Sequence, residues 1–332
     1  MNKILTGALL LLFSSSAAAQ TPRDSIAFAT AQWRTADLGG GAECRYAQID
    51  MFGSRQSISV ATYPGRRFTT SIVHLDRRAE STSDLGKAAG AEIAVNGSYF
   101  NVKTFEPVTF VLLDRKIVGR TTPEEAFRTN GVIAFKDRKG RRMEIFPCDT
   151  TQYADVARRY RSALAAGPVL IDGGKVVEYT SGSSFYTRRH PRTLIGKRAD
   201  GTVVMAVIDG RFKGQGDGAT IAETAYIARQ LGLTEALNLD GGGSSTLWTA
   251  QEPSLRQPPL RPRGRARGPQ LHRGPQVTGQ RPGIKERGLM KLHQTAFSFN
   301  PTVLIASTAR TVRTTGRNKP STAGTPPSSP RT

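Results

Sequence analysis

Four short segments set polar side chains directly beside an apolar run. "AVNGSYF" delivers Asn96 and Gly97, and "RRHPRTLIG" leads Arg192 and Thr193 into a run of its own. "VVMAVIDGR" ends on Asp209, with Arg211 two residues on. "ALNLDGGGSSTLW" presents Asn238 and Asp240, then Gly241, Gly242, Gly243, Ser244 and Ser245. Carboxylates, amides and arginines at strand ends are the equipment of sites that bind anions and sugars. Three consecutive glycines lose much backbone entropy on folding, so they point to a backbone that approaches a ligand or another strand closely. Successive amides in such a turn form an anion-binding nest. No Gly-Lys-Ser/Thr closes the turn and no helical pattern follows it, which excludes a phosphate loop of the nucleotide-binding kind. Plainer readings stand beside these. Asn-Gly and Asp-Gly are favoured turn dipeptides, and Glu223 fits a helix cap better than a catalyst.

The elements that must carry these residues are mostly strands. Residues 43–75 hold β-type runs such as "SISVATY" and "SIVHL". Four hairpins follow, in "VTFVLLDRKIVG", "GVIAFKDRKGRRMEIF", "GPVLIDGGKVVEY" and "RTLIGKRADGTVVMAVIDGR", each with apolar, β-branched strands flanking a polar turn. Helices are expected over 82–90, 151–165 and 220–231. In the last, Thr220 and Glu223 have capping-box spacing and Gly232 is placed to stop the helix. This pattern predicts an α+β fold, a single β-rich domain of mixed or antiparallel sheets with a few flanking helices.

Charge and composition divide the 332 residues unevenly. The formal charge is +21, yet residues 250–332 hold 15 Lys and Arg against 2 Asp and Glu, with 12 of the 19 prolines. The rest has the composition of an ordinary globular domain. A lysine, about ten apolar residues and an Ala-Ala-Ala before Gln20 make residues 1–19 a signal peptide cleaved near Ala19, placing the mature protein in the periplasm or outside the cell. No other segment is long and apolar enough to span a bilayer. Cys44 and Cys148 allow one disulfide in that compartment. No Cys or His spacing suits zinc. No cofactor is expected; the Asp-bearing strand ends leave room for a divalent cation, although no recognised calcium or magnesium loop is present.

Taken together and in this order, "NGSYF", "AAGPVLIDGG", "RTLIG", "VIDGR" and "LGLTEALNLDGGGSSTLW" resemble the phosphodiester glycosidase family, across about residues 90–248. Ser98-Tyr99 stands where Gly-Phe is usual. The resemblance implies hydrolysis of a sugar-1-phosphodiester at the glycosidic bond, with a glycosyl phosphodiester or phosphoglycan as substrate and no nucleic-acid partner. On that basis Asp209 and Asp240 are the expected carboxylate pair. Arg192 is expected to clamp the phosphate, with Arg211 second. Asn96, Thr193 and Asn238 would hydrogen-bond sugar or phosphate, Gly97 would stay with Asn96, and residues 241–245 would supply backbone and hydroxyl donors. A glycan-binding module without catalysis is the alternative on the same fold.

The resemblance also implies an ending that is absent here. Family members continue past the glycine motif to a Glu-Arg-x-Val-x-Asn pattern and a final strand. A back-translation of Leu255–Gln276 read one base later produces that pattern, so residues 250–332 are expected to be a disordered, out-of-frame tail after a domain of 20–249. The competing reading is a basic tail that binds polyanions.

Overall fold

The run "TVVMAVI" has no polar face because it has no exposed face. In the computed structural model, which describes residues 21–138, 140–251 and 299–308, it is the strand Thr202–Ile208, inside an eight-stranded sheet. Val203, Met205 and Val207 pack into one core, Val204, Ala206 and Ile208 into another. Successive strand residues face opposite sides, so a strand covered on both faces is apolar throughout. Its neighbours are Ser54–Pro64 and Arg192–Lys197, and Glu235–Asn238 follows beyond the latter, all antiparallel.

Two smaller sheets share the first core. A five-stranded sheet contributes Val111, Ile133 and Leu164, and a four-stranded sheet contributes Val95, Leu247 and Leu304. Helices cover the outer faces. Ile221–Gln230 and Pro22–Ala29 lie on the large sheet, Tyr153–Arg159 on the five-stranded sheet and Thr82–Ala88 on the four-stranded one. Pairings between the named strands are antiparallel, and sheets backed by helices around a shared core are the α+β arrangement expected from the sequence. No helix among the described residues is long and apolar enough to cross a membrane.

The hairpins and the Thr220 capping box are present as expected. Residues 151–165 are a correction. The helix is only Tyr153–Arg159; Tyr160 turns to an extended conformation and Ser162–Ala166 is a strand between two others of the five-stranded sheet. Small apolar residues there satisfy either pattern, and sheet packing decides. Cys44 and Cys148 are buried free thiols in different cores.

Strand also lies beyond the domain end expected at residue 249. Thr302–Thr308 runs between Phe68–His74 and Ile93–Asn96, with Val303, Leu304 and Ala306 fully buried. Its "TVLIAST" is a strand-former whose signal vanishes when composition is averaged over the whole basic stretch. The expected signal peptide, and the tail apart from residues 250, 251 and 299–308, lie outside the described residues.

Candidate active site

The strand ends singled out in the sequence do converge, and several of their polar residues hold the site up instead of facing a ligand. Asn96 is completely buried. Its Nδ2 donates to the Asp240 carbonyl at 2.7 Å, while its Oδ1 accepts from Thr193 Oγ1 at 2.8 Å and from the Thr246 amide at 3.0 Å. Asn96 and Thr193 thus brace the backbone at Asp240. Gly97 accepts from the Asp240 amide at 3.0 Å and donates to Thr302 O at 2.8 Å. A Cβ at Gly97 would stand 2.6 Å from that oxygen, so the close approach requires glycine. Asn238 is buried too, its Nδ2 donating to Gly167 O and Leu239 O.

Arg192 is not at the cleft. It is 2% exposed, and its guanidinium donates to the carbonyls of Ala219 (2.9 Å), Phe185 (2.6 Å) and Arg188 (3.2 Å). Burial draws it down to about 10, which still leaves it charged at neutral pH. It ties loops together, away from the cleft where the expected phosphate clamp would act. Arg192→Lys should cost about 2–4 kcal/mol, because an ammonium cannot reach all three carbonyls. Thermal denaturation checks this, with catalytic turnover per folded molecule expected to stay near the parent value.

Asp209 also stands off the cleft. Its Oδ2 accepts from Ser57 Oγ at 2.6 Å, and that hydroxyl meets Tyr46 Oη at 3.0 Å, a buried polar chain beneath the sheet end. The expected pair of carboxylates therefore reduces to one at the cleft.

That one is Asp240. It opens on a cleft of about 500 Å³ with residues 241–244 and Arg211 beside it. Tyr99, Phe100, Val102, Phe105 and Arg128 complete the lining. Burial pushes the Asp240 carboxyl up to about 6, against the pull of the Ser244 hydroxyl, Arg128 and the Gly241 amide. Arg128 lies over the Tyr99 ring at 4.0 Å and bonds the Glu125 carboxylate at 2.6 Å. Burial opposes its charge, but Glu125, Tyr99 and Asp240 more than offset that and hold it above the usual guanidinium range. Arg211 has a left-handed backbone at φ +70°, costly for a non-glycine residue and common where function demands it.

The three glycines have three separate uses. A Cβ on Gly241 would stand 2.6 Å from Pro191 O, so this glycine lets the backbones approach. Gly242 has φ +61°, and a Cβ there would meet Arg211 Nη2 at 3.0 Å, so this position makes room for the guanidinium. Gly243 has open space around it. The expected nest of amides is not formed. Gly241 N–H goes to the Asp240 carboxylate, Gly242 N–H to Pro191 O and Ser244 N–H to Gly241 O. Ser245 does not line the cleft; its buried hydroxyl has no hydrogen-bond partner among the described residues. Among the described residues no group of three or more His, Cys, Asp or Glu stands where it would hold a metal ion.

Arg128 and the aromatic wall were missed as site residues. Tyr99 and Phe100 belong to the "NGSYF" segment, so a signal existed for them. For Arg128 there was none, since its place depends on the packing of 123–130 against Tyr99 and Phe185.

The model of the phosphodiester glycosidase family matches residues 89–269, more than half of the chain and past the expected domain end. The chain belongs to that family. Within it, the N-acetylglucosamine-1-phosphodiester alpha-N-acetylglucosaminidase of Mus musculus is 26% identical over 181 residues, 51% of this chain and 34% of the mouse protein. The chain thus spans about a third of that relative's length. The solved catalytic domain of the zebrafish enzyme of the same name, auto-inhibited by its pro-peptide, superposes with a TM-score of 0.50 at 17% identity, covering 68% of this chain and 81% of that one. A hypothetical protein from Synechocystis gives 0.50 at 16% identity, covering 66% and 59%. At such identities these two structures establish a shared fold. Family membership supports a hydrolase of the phosphodiester glycosidase kind.

Proposed function

We propose that the chain hydrolyses a glycosyl phosphodiester at the bond between the sugar C1 and the phosphate oxygen. A water oxygen bonds to C1 as the C1–O bond breaks, and the bonding pair leaves on the phosphate oxygen. Asp240 accepts the water proton, so the products are free sugar and a phosphomonoester. Glycosidases generally use a second carboxyl group to protonate the leaving oxygen. A departing phosphate needs that less, and Arg128 and Arg211 are suited to neutralise the charge it carries away. The observation that supports this most is a carboxyl group, the only one lining the cleft among the described residues and shifted to about 6, beside two guanidinium groups. The N-terminal segment read as a signal peptide supports action outside the cytoplasm.

A base with that acidity imposes a pH profile. Proton transfer to Asp240 needs its ionised form, so kcat/KM should rise with pH, reach half its plateau near pH 6 and then level off. The check is hydrolysis of a panel of sugar-1-phosphodiesters by the full chain between pH 4 and 9. A rate that falls across that midpoint would make Asp240 an acid instead. If panel members bind but none is cleaved, the protein is a glycan-binding module.

A further inference from the structure

The cleft is chemically lopsided. Its polar groups come from residues 240–244, Arg211 and Arg128, whereas Tyr99, Phe100, Val102 and Phe105 line the remainder. Tyr99 is buried and its hydroxyl already donates to Gly167 O at 2.5 Å, so its polar atom is occupied. Phe100 and Phe105 stack, with ring centroids 6.4 Å apart and planes at 26°. Val102 is 73% exposed, a wide apolar surface left to water. Phe127, 54% exposed, adds another beside the Arg128 guanidinium.

This display is held in place by design of the loop. Asn101 Oδ1 accepts from the amides of Lys103 and Thr104, Phe105 N–H bonds Asn101 O, and Asn101 N–H bonds Glu106 O. Phe105 has φ +59°, a conformation unfavourable for an aromatic residue. A sugar arm brings hydroxyls that need partners when they leave water, and these side chains have few to offer. A hydrocarbon needs only the surface.

We infer that the arm of the phosphodiester beyond the phosphate is a hydrocarbon chain, which lies on Phe100, Val102 and Phe105 while the phosphate meets Arg128 and Arg211. This deepens the hydrolase reading and rests on it for the bond that breaks. The binding half can be tested alone. The probes are methyl phosphate and octyl phosphate, the latter below its aggregation concentration, titrated calorimetrically into the full chain. Octyl phosphate should bind at least about tenfold tighter, since each buried methylene adds to affinity.

Val102→Ser, at an exposed position that folding tolerates, should cut the octyl-over-methyl ratio by about threefold, and Phe105→Ser should cut it further. Any general loss of phosphate binding cancels in that ratio. Equal affinities for the two probes, or a ratio unmoved by both substitutions, would overturn the inference. Turnover of methyl and octyl diesters of one sugar-1-phosphate is measured in parallel. Tighter octyl binding without cleavage of either diester sinks the hydrolase reading and leaves the hydrocarbon surface standing.

Discussion

Asp240→Asn should remove turnover and at the same time raise the melting temperature at alkaline pH. The amide keeps the shape of the carboxyl and can still accept from Gly241 N–H, now at 2.8 Å to Oδ1. It cannot take a proton from water, so kcat should fall about a hundred- to ten-thousandfold. Affinity for a phosphomonoester should hold or tighten, because a negative charge beside the arginines is gone. The stability effect follows from the acidity. Asp240 goes from 3.8 in its free form to about 6 in the fold, so the folded state prefers the protonated group. Its contribution is complete below about pH 4 and is lost as pH rises through 6. At pH 8 the parent carries an ionised carboxylate in a partly desolvated site, and Asp240→Asn should be more stable by about 1–3 kcal/mol. The gain should shrink towards zero near pH 4. Denaturation curves at the two pH values, beside kinetics at pH 8, check both halves. Undiminished turnover would remove Asp240 from the chemistry.

Leu304→Asp should unfold the protein or come close to it. Leu304 is fully buried in the core shared by the three sheets, and its strand is flanked on both sides. A carboxyl there has no partner and must either ionise at great cost or take up a proton. A loss of about 4 kcal/mol or more is expected, against a total stability of about 5–15 kcal/mol. Val118→Asp, at an exposed strand position, should change the melt little. If Leu304→Asp melts like the parent, the segment does not complete the sheet. The damage should also reach the cleft, since Thr302 O holds Gly97, and Val303 lies opposite Asn96 in the register.

What was legible in the sequence was local. Alternation and turn dipeptides located the hairpins, and Thr220 with Glu223 marked the start of Ile221–Gln230. Asp240 and the glycines were legible because their composition is rare in any other setting. The roles of Asn96, Thr193 and Arg192 were not, since a polar residue at a strand end looks the same whether it faces a ligand or a buried carbonyl. Only the partners, over 90 positions away for Asn96 and Thr193, decide it. Arg128 escaped for the same reason, being placed by contacts with Tyr99 and Phe185. The closing strand escaped through averaging: a run of strand-formers disappears inside a long basic, proline-rich stretch.

That closing strand makes the cleft a late product of synthesis. His74 and Thr302 share a hydrogen bond of 3.0 Å across 228 residues, and among the described residues Thr302–Thr308 is the sole strand partner of Phe68–His74 in its sheet. Contacts of such separation form slowly, because the loop must close before anything rewards it. At about 5–20 residues per second, roughly 10–50 s pass between the emergence of the two partners. Through that interval a strand with open edges waits, a hazard for association with other chains. The brace that positions Asp240 is completed only when the last described strand arrives, so a nascent chain has the residues of the proposed site long before it has the cleft.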